Sequence, residues 1–251
     1  MRRWLRAALA ILAFLVVWEL TARMNPVRIP LFPPPTRVFL ALIDMARTGE
    51  LARDIRASLW RALIGFALGG LAGIAVGLIT GRIEKLDNYL SPVIQLFRPL
   101  PPVAIIPLVI IWFGIGQTSK IFSIAFAVFF PVWVNAHLGA HDIPTTYLWS
   151  ARTMSVTGVA AFRRVIFPAA LPFIMAGLRI GISLAFVMVF VSELMGSDSG
   201  IGYQINTSYL AYRIDRMIAA LVVLGGFGAL GDLLLTKTAL FVFPWLKLEQ
   251  R

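Results

Sequence analysis

Six separate stretches of the chain are apolar and long enough to cross a lipid bilayer, and this feature constrains the fold most. A hydrocarbon core of about 30 Å is crossed by about 20 residues of α-helix. Because lipid offers the backbone no hydrogen-bond partners, such a segment must be helical. We therefore predict an all-α integral membrane protein with six transmembrane helices. The predicted spans are about 7–24, 59–80, 96–113, 121–138, 173–195 and 217–235.

The composition excludes a soluble globular domain. The chain is 59% hydrophobic and 14% charged, whereas soluble domains are about 45–50% apolar and about 25% charged. The net charge of +11 comes from 23 basic residues scattered between apolar runs, so it indicates span ends beside anionic lipid rather than nucleic-acid binding. With no cysteine, disulfides and thiol chemistry are excluded.

We expect a single transmembrane domain over residues 1–251, with both termini on the same side because the number of spans is even. The basic and apolar N-terminus lacks a convincing cleavage site, so it is interpreted as a retained first span. The absence of organelle targeting features indicates a bacterial inner membrane. The positive-inside rule places the termini in the cytoplasm by a small margin, with Arg179 counted on the inner side.

Two segments beside the predicted spans have clear local patterns. The prolines of Pro26–Pro35 predict an extended exit from the first span. Thr36–Arg56 has apolar residues at helical spacing, which predicts one amphipathic interfacial helix that lies on lipid or contacts an external partner. Span two has glycines four residues apart, a pattern that favours close helix packing within the subunit or at a dimer interface. They are Gly65, Gly69, Gly73, Gly77 and Gly81.

Prolines interrupt the third predicted span. Broken helices at membrane depth occur where the backbone is buried in protein or lines a cavity, so this span is either a pathway or gating helix or a kinked structural helix. Glu19, Glu193 and Asp232 are acidic residues placed near the ends of predicted spans. The pathway or gate candidates are Pro101, Pro102, Pro107 and Glu193.

Enzyme chemistry is not indicated. The chain has no phosphate-binding P-loop and no nucleophile elbow. His137 and His141 are four residues apart but have no obvious third ligand, so we expect no metal site and interfacial histidines. We predict a non-catalytic subunit without a cofactor of its own.

The segment from about 141 to 172 is a polar connection between two predicted spans, too polar to remain in lipid. Its middle, Trp149–Val165, is predicted to be helical, and the chain re-enters the membrane through Pro168 and Pro172. A long ordered connection of this kind is usually functional. We interpret it as a docking element that receives force from a soluble partner.

Three blocks of sequence resemble the permease subunits of binding-protein-dependent ABC importers, in the nitrate/sulfonate/taurine/bicarbonate group. They are "RPLPPVAIIPLVIIWFGIGQTSKI" from Arg98, "SARTMSVTGVAAFRRVIFPAALPFIMAGLRIGIS" from Ser150 and "VSELMGSDSGIGYQI" from Val191. The resemblance implies a type I importer permease with a cytoplasmic coupling helix. The family usually has Glu-Ala-Ala, then Gly four residues after the last Ala, where this chain has Trp149, Ser150, Ala151 and Ser155.

The resemblance also implies partners and a function. Two copies of the permease would assemble with two ATPase chains that hold ATP and Mg, and with a periplasmic or lipid-anchored solute-binding protein. The expected function is import by alternating access of a small oxyanion (sulfonate, taurine, nitrate or bicarbonate), with a pyrimidine vitamin precursor as the alternative solute and an ion-coupled carrier or channel as the alternative class. The residues implied in coupling are Ala151, Arg152, Met154, Ser155, Gly158, Arg163, Arg164 and Pro168.

Overall fold

Helices make up nearly all of the chain in the computed structural model, which describes residues 2–24 and 31–243, with side chains from residue 5. A 3-10 turn, Pro102–Ile105, precedes α5, and a π turn, Phe162–Ile166, precedes α9. The helices are α1 Arg2–Met24, α2 Pro35–Arg47, α3 Glu50–Arg82, α4 Glu84–Phe97, α5 Ile106–Phe113, α6 Gln117–His141, α7 Thr145–Thr153, α8 Gly158–Ala161, α9 Phe167–Leu194, α10 Ile201–Leu210 and α11 Ile214–Val242. The predicted all-α class is confirmed.

Five helical segments are long and apolar enough to cross a membrane, or up to six if one bent pair counts as a span. Each of the five overlaps a predicted span, although α3 and α11 extend well beyond the predicted limits. The five segments are Leu5–Met24, Glu50–Arg82, Gln117–His141, Gly158–Leu194 and Ile214–Val242.

The third predicted span, 96–113, is broken at its prolines as predicted, but its predicted start is wrong. The structure instead has α4, a break, and then Pro102–Phe113, with a bend of 85° between the two parts. The break follows from the prolines: Pro99, Pro101 and Pro102 have no N–H to donate, and each disfavours helical backbone in the residue before it. The residues before the break belong to α4, which the prediction did not include.

The predicted amphipathic helix over 36–56 is also wrong at its C-terminal end. Helix α2 ends at Arg47, and Gly49 at φ +77 allows the chain to turn before α3 begins at Glu50. Residues 50–56 therefore belong to a 33-residue helix. The predicted extended exit lies partly outside the described residues, and its last residue, Pro35, is the first residue of α2.

The described residues divide into two compact units. The first contains the described residues up to Leu59 together with Glu193–Gly226. In it α2 packs against α1 and buries Val38, Ala41 and Met45. The second contains Trp60–Ser192 and the described residues from Phe227 onward.

The core of the second unit is a contact of three helices. Leu78 of α3, Ala136 and Ala140 of α6, and Ala170 and Ile174 of α9 form a buried cluster. Small residues allow these helices to approach each other closely. Next to Ala170 on α9, Leu171 is buried against Ala239 of α11.

The glycines of α3 face α6 along its length. A Cβ at Gly73 would lie 2.8 Å from the carbonyl oxygen of Phe129, and one at Gly77 would lie 2.7 Å from that of Trp133. Gly65, Gly69 and Gly81 meet α6 in the same way. Gly65 is closest to the side chain of Ile124, and the other four are close to backbone, which has little freedom to move. Any side chain at these positions would therefore push the two helices apart.

Helix α10 was not predicted. It follows Gly200, a residue at φ +122, and lies between α9 and α11. Its buried residues include Ile201, Gly202 and Gln204, so this part of the sequence is packed structure rather than a simple loop.

Candidate functional site

The connecting segment, which we define as residues 142–166 between α6 and α9, contains two short helices and a π turn. The single predicted helix over 149–165 is therefore wrong, because the chain turns between Thr153 and Gly158. The membrane-side helix also begins earlier than predicted. Helix α9 starts at Phe167, so that Pro168 and Pro172 lie inside it and do not break it.

Helix α7 ends in a hydrogen-bond pattern that needs a left-handed residue. The N–H of Val156 donates to the carbonyl of Ala151 at 2.8 Å, and the N–H of Ser155 donates to that of Arg152 at 2.9 Å. This pair of bonds defines a Schellman motif, whose left-handed position is usually occupied by glycine. In this chain Ser155 takes that position at φ +59. Ser155 is also the position where the family usually has glycine, and the structure gives the reason for that preference.

A second left-handed residue closes the same turn. Gly158 begins α8 at φ +57, and a Cβ built on it would meet no other atom within 4 Å. Its backbone conformation, rather than crowding, therefore restricts this position. Between the two left-handed residues the chain turns from α7 into α8.

The π turn that follows carries two of the arginines implied in coupling. Arg163 and Arg164 are exposed on it, whereas Ile166 at its end is buried. The wider turn lies directly before the half-buried Pro168, whose ring would otherwise crowd the carbonyl four residues earlier. The π turn thus lets the chain enter α9 without a break.

The exposed surface of the connecting segment is mainly polar, with arginines on it, but it also carries a few large apolar side chains. Trp149, Met154 and Val159 are exposed, as is Arg152. Ala151 is instead buried, so it packs against the rest of the protein and does not lie on the exposed face of α7. An exposed tryptophan where the family usually has glutamate makes this surface less acidic and more apolar.

A cleft of about 710 Å³ lies between the connecting segment and the end of α3. Gly158, Phe162 and Ile166 line one side. Arg82 lines the other side and donates to the carbonyl of Ala140 at 3.4 Å. The segment therefore reaches the end of α3 as well as the two helices that it connects.

The three proline candidates for the pathway occupy helix starts. Pro101 precedes the 3-10 turn, Pro102 is its first residue, and Pro107 is the second residue of α5. These are positions where a missing N–H costs no helical hydrogen bond. Helix α5 then packs on α6, with the rings of Phe113 and Phe122 5.2 Å apart.

Glu193, the fourth pathway candidate, is fully buried in the first unit. Its carboxylate accepts hydrogen bonds from the hydroxyl of Ser58 at 2.9 Å and from the N–H of Gly202 at 2.8 Å. The N–H groups of Gly200 and Ile201 donate to Asp54 and Ser58. These contacts fix the start of α10, since the first N–H groups of a helix need acceptors from outside it. The geometry is that of a helix-capping cluster.

An ion pair in the second unit was missed. The Nε and Nη2 atoms of Arg179 donate to the two carboxylate oxygens of Asp232 at 2.7 and 3.0 Å. Asp232 was expected near the end of span six, but α11 continues to Val242, which makes this position internal. Opposite charges inside two predicted spans were the sequence signal for this pair.

The two histidines lie on one face of α6, with stacked rings 5.8 Å apart. The Nδ1 atom of His137 is 3.0 Å from the hydroxyl of Thr80, and that of His141 is 2.8 Å from Asp142. Over residues 2–24 and 31–243 no group of three or more potential metal ligands is found. The imidazoles take part in helix-end hydrogen bonds.

Residues 69–238 match the family described as the inner membrane component of binding-protein-dependent transport systems. A protein named as an aliphatic sulfonates transport permease, SsuC of Bacillus subtilis strain 168, is 31% identical over 91% of this chain and 83% of its own length. The taurine transport system permease TauC of Escherichia coli K12 is 32% identical over 92% and 86%. The nitrate import permease NrtB of Synechocystis is 30% identical over 96% and 90%.

Among solved structures, a chain of the MetNI methionine ABC transporter in an inward-facing conformation has a similar fold. The TM-score is 0.65 at 21% sequence identity, and the match covers 77% of this chain and 96% of that one.

Proposed function

The chain belongs to the family of inner membrane components of binding-protein-dependent transport systems, in the group of the sulfonate, taurine and nitrate permeases, and we propose that it is the permease of an ATP-driven importer working by alternating access. The observation that carries the proposal is the connecting segment, a structured polar element between two membrane-spanning helices. A short helix of this kind transmits rigid-body motion, because packed elements shift between discrete arrangements.

We place the connecting segment and both termini in the cytoplasm, with the bent α4–α5 pair as the third of six spans. The small excess of basic residues on that side supports this orientation. Six spans are few to enclose a solute pathway, so two copies around a two-fold axis would form it between them. The bent pair, with Pro101 and Pro102 at its break and Pro107 in the first turn of α5, would line or gate that pathway. Membrane lipid would surround the dimer.

Two ATPase chains would bind the connecting segments from the cytoplasm. The exposed residues Arg152, Met154, Arg163 and Arg164 would contact the ATPase, while the left-handed pair Ser155 and Gly158 sets the angle between the two short helices. ATP and Mg would be held by those partners, because this chain has no phosphate-binding loop. Closure of the ATPases would turn the cavity outward, and hydrolysis would return it inward.

The solute would be a small oxyanion delivered by a solute-binding protein outside. The relatives named for sulfonates, taurine and nitrate support this class, since those solutes share negatively charged oxygens. Most of the selectivity would belong to the binding protein.

The test is reconstitution in proteoliposomes with the ATPase and the solute-binding protein. We expect ATP hydrolysis to rise when loaded binding protein is added, and uptake to require ATP. Uptake by this chain alone, driven by a proton or sodium gradient, would refute the proposal in favour of an ion-coupled carrier.

A further inference from the structure

The ion pair of Arg179 and Asp232 lies deep in its helices. At a rise of about 1.5 Å per residue, Arg179 is about 18 Å from the start of α9 and about 22 Å from its end. Asp232 is about 27 Å from the start of α11 and about 15 Å from its end. In a bilayer core of about 30 Å, both positions are near the middle.

The pair is also partly exposed in a single copy of the chain. The exposed side-chain fractions are 49% for Arg179 and 32% for Asp232. Charged side chains at the middle of a membrane are costly, and they almost always face the protein interior or a water-filled cavity. We therefore expect the exposed side of the pair to face protein or a water-filled cavity rather than lipid.

The surface around the pair has the shape of a cleft. Ala176, Ile180, Ser183 and Leu184 line it together with the two charged residues, and its volume is about 620 Å³. The hydroxyl of Ser183 donates to the backbone carbonyl of Arg179 at 3.3 Å. The charged groups are therefore the strongest polar feature of an otherwise apolar wall.

The guanidinium retains capacity for another oxygen ligand. Its bonds to Asp232 use two of the five N–H donors that an arginine carries. The planar fork that fits a carboxylate also fits other oxyanions. A solute anion can thus approach the same group that Asp232 holds in this structure.

We infer that Arg179 is the contact for a solute oxyanion at the middle of the translocation pathway, and that Asp232 competes with the solute for the guanidinium. This inference rests on the proposed function. Conduction requires binding that is strong enough to admit a solute and weak enough to release it. Asp232 lowers the affinity of Arg179 for the solute, because its negative charge repels an anion bound beside it.

The absence of cysteine allows a direct test on the assembled transporter. We would introduce Ser183→Cys and label it in proteoliposomes with 2-sulfonatoethyl methanethiosulfonate and with its trimethylammonium analogue. Each reagent forms a disulfide with the thiolate and releases methanesulfinate. The labelling rate of each reagent is divided by its rate with a small free thiol. The ratio of the two normalised rates, anionic to cationic, then reports the local charge.

We expect Ser183→Cys to react with both reagents. The ratio of the anionic to the cationic labelling rate should rise after Asp232→Asn and fall after Arg179→Gln, each by on the order of tenfold. Added ethanesulfonate should slow the reaction. Leu12→Cys, on the exposed face of α1, is the lipid-facing control and should not react. Asp44→Asn removes the charge of a different ion pair, with Arg216, and should leave the ratio unchanged.

The inference would be overturned if Ser183→Cys did not react, or if Arg179→Gln left the ratio of labelling rates unchanged. Ala176→Cys provides a second position in the same cleft if the serine variant does not fold. ATP hydrolysis stimulated by loaded binding protein is measured on the unmodified complex. If that stimulation persists while labelling fails, the pathway contact is wrong and the proposed function stands.

Discussion

Replacing Ser155 with glycine should stabilise the protein, although it removes a side chain. A residue other than glycine in the left-handed region costs about 1–2 kcal/mol, and Ser155 has φ +59. Glycine would remove this strain but would also gain freedom in the unfolded chain, which offsets about 0.5–1 kcal/mol. The side chain is exposed, so little packing is lost. We expect a net gain of about 0.5–1 kcal/mol.

The assay is thermal unfolding of the purified protein in detergent. For a chain of this size the gain corresponds to a rise in Tm of about 1–4 °C. Ser155→Val provides the opposite change, because a β-branched residue is least tolerated at positive φ. We therefore expect the order of stability to be glycine, then serine, then valine.

The matched control is Thr157→Gly, two residues farther along the same turn. Thr157 is also exposed, but its φ of −129 is accessible to every residue except proline. Glycine there should only add freedom to the unfolded chain and lower the Tm. If both glycine variants shift the Tm in the same direction, the left-handed strain at Ser155 does not limit the stability of the protein.

Three further substitutions test other parts of the structure. Gly158→Pro should leave the protein inserted but uncouple ATP hydrolysis from uptake, because proline cannot adopt φ +57; normal uptake in proteoliposomes would exclude the docking role. Gly200→Ala should destabilise by about 2–4 kcal/mol in thermal unfolding, since its Cβ would overlap the carboxylate of Glu193, whereas Gly49→Ala, with open space around its Cβ, should cost only about 1–2 kcal/mol. Gly73→Leu should reduce the yield of monodisperse protein by forcing α3 away from α6, and the same yield as for Gly225→Leu, a position with no neighbour within 4 Å, would contradict the contact.

The sequence predicted the spanning helices well because hydropathy over about 20 residues is a strong signal. It located the break at the prolines near Pro101, but the 85° bend depends on how α5 packs on α6, which no local pattern shows. The start of α3 was missed because the left-handed backbone of Gly49 divides a continuous amphipathic pattern.

The connecting segment also shows what local sequence patterns do not predict. Its polarity and position were evident, yet its two helices are separated by the conformations of Ser155 and Gly158, and serine gives little warning of a left-handed backbone. The departure from the family's glycine at Ser155 was noticed as a sequence difference. Only the hydrogen bonds of Val156 and Ser155 reveal that the chain keeps the turn, with serine in the left-handed conformation that glycine adopts more easily.

Two polar sites inside apolar helices differ in ways that separate a structural role from a transport role. Glu193 is fully buried, and its carboxylate is held by the fixed donors of Ser58 and Gly202, which leaves an incoming solute no access. Arg179 and Asp232 pair with each other beside a cleft and are partly exposed, so each can exchange its partner. A buried carboxylate held by a hydroxyl and a backbone N–H stabilises one conformation, whereas a partly exposed ion pair can open and close. This contrast supports the inference of a solute contact at the ion pair and places Glu193 in the cap of α10.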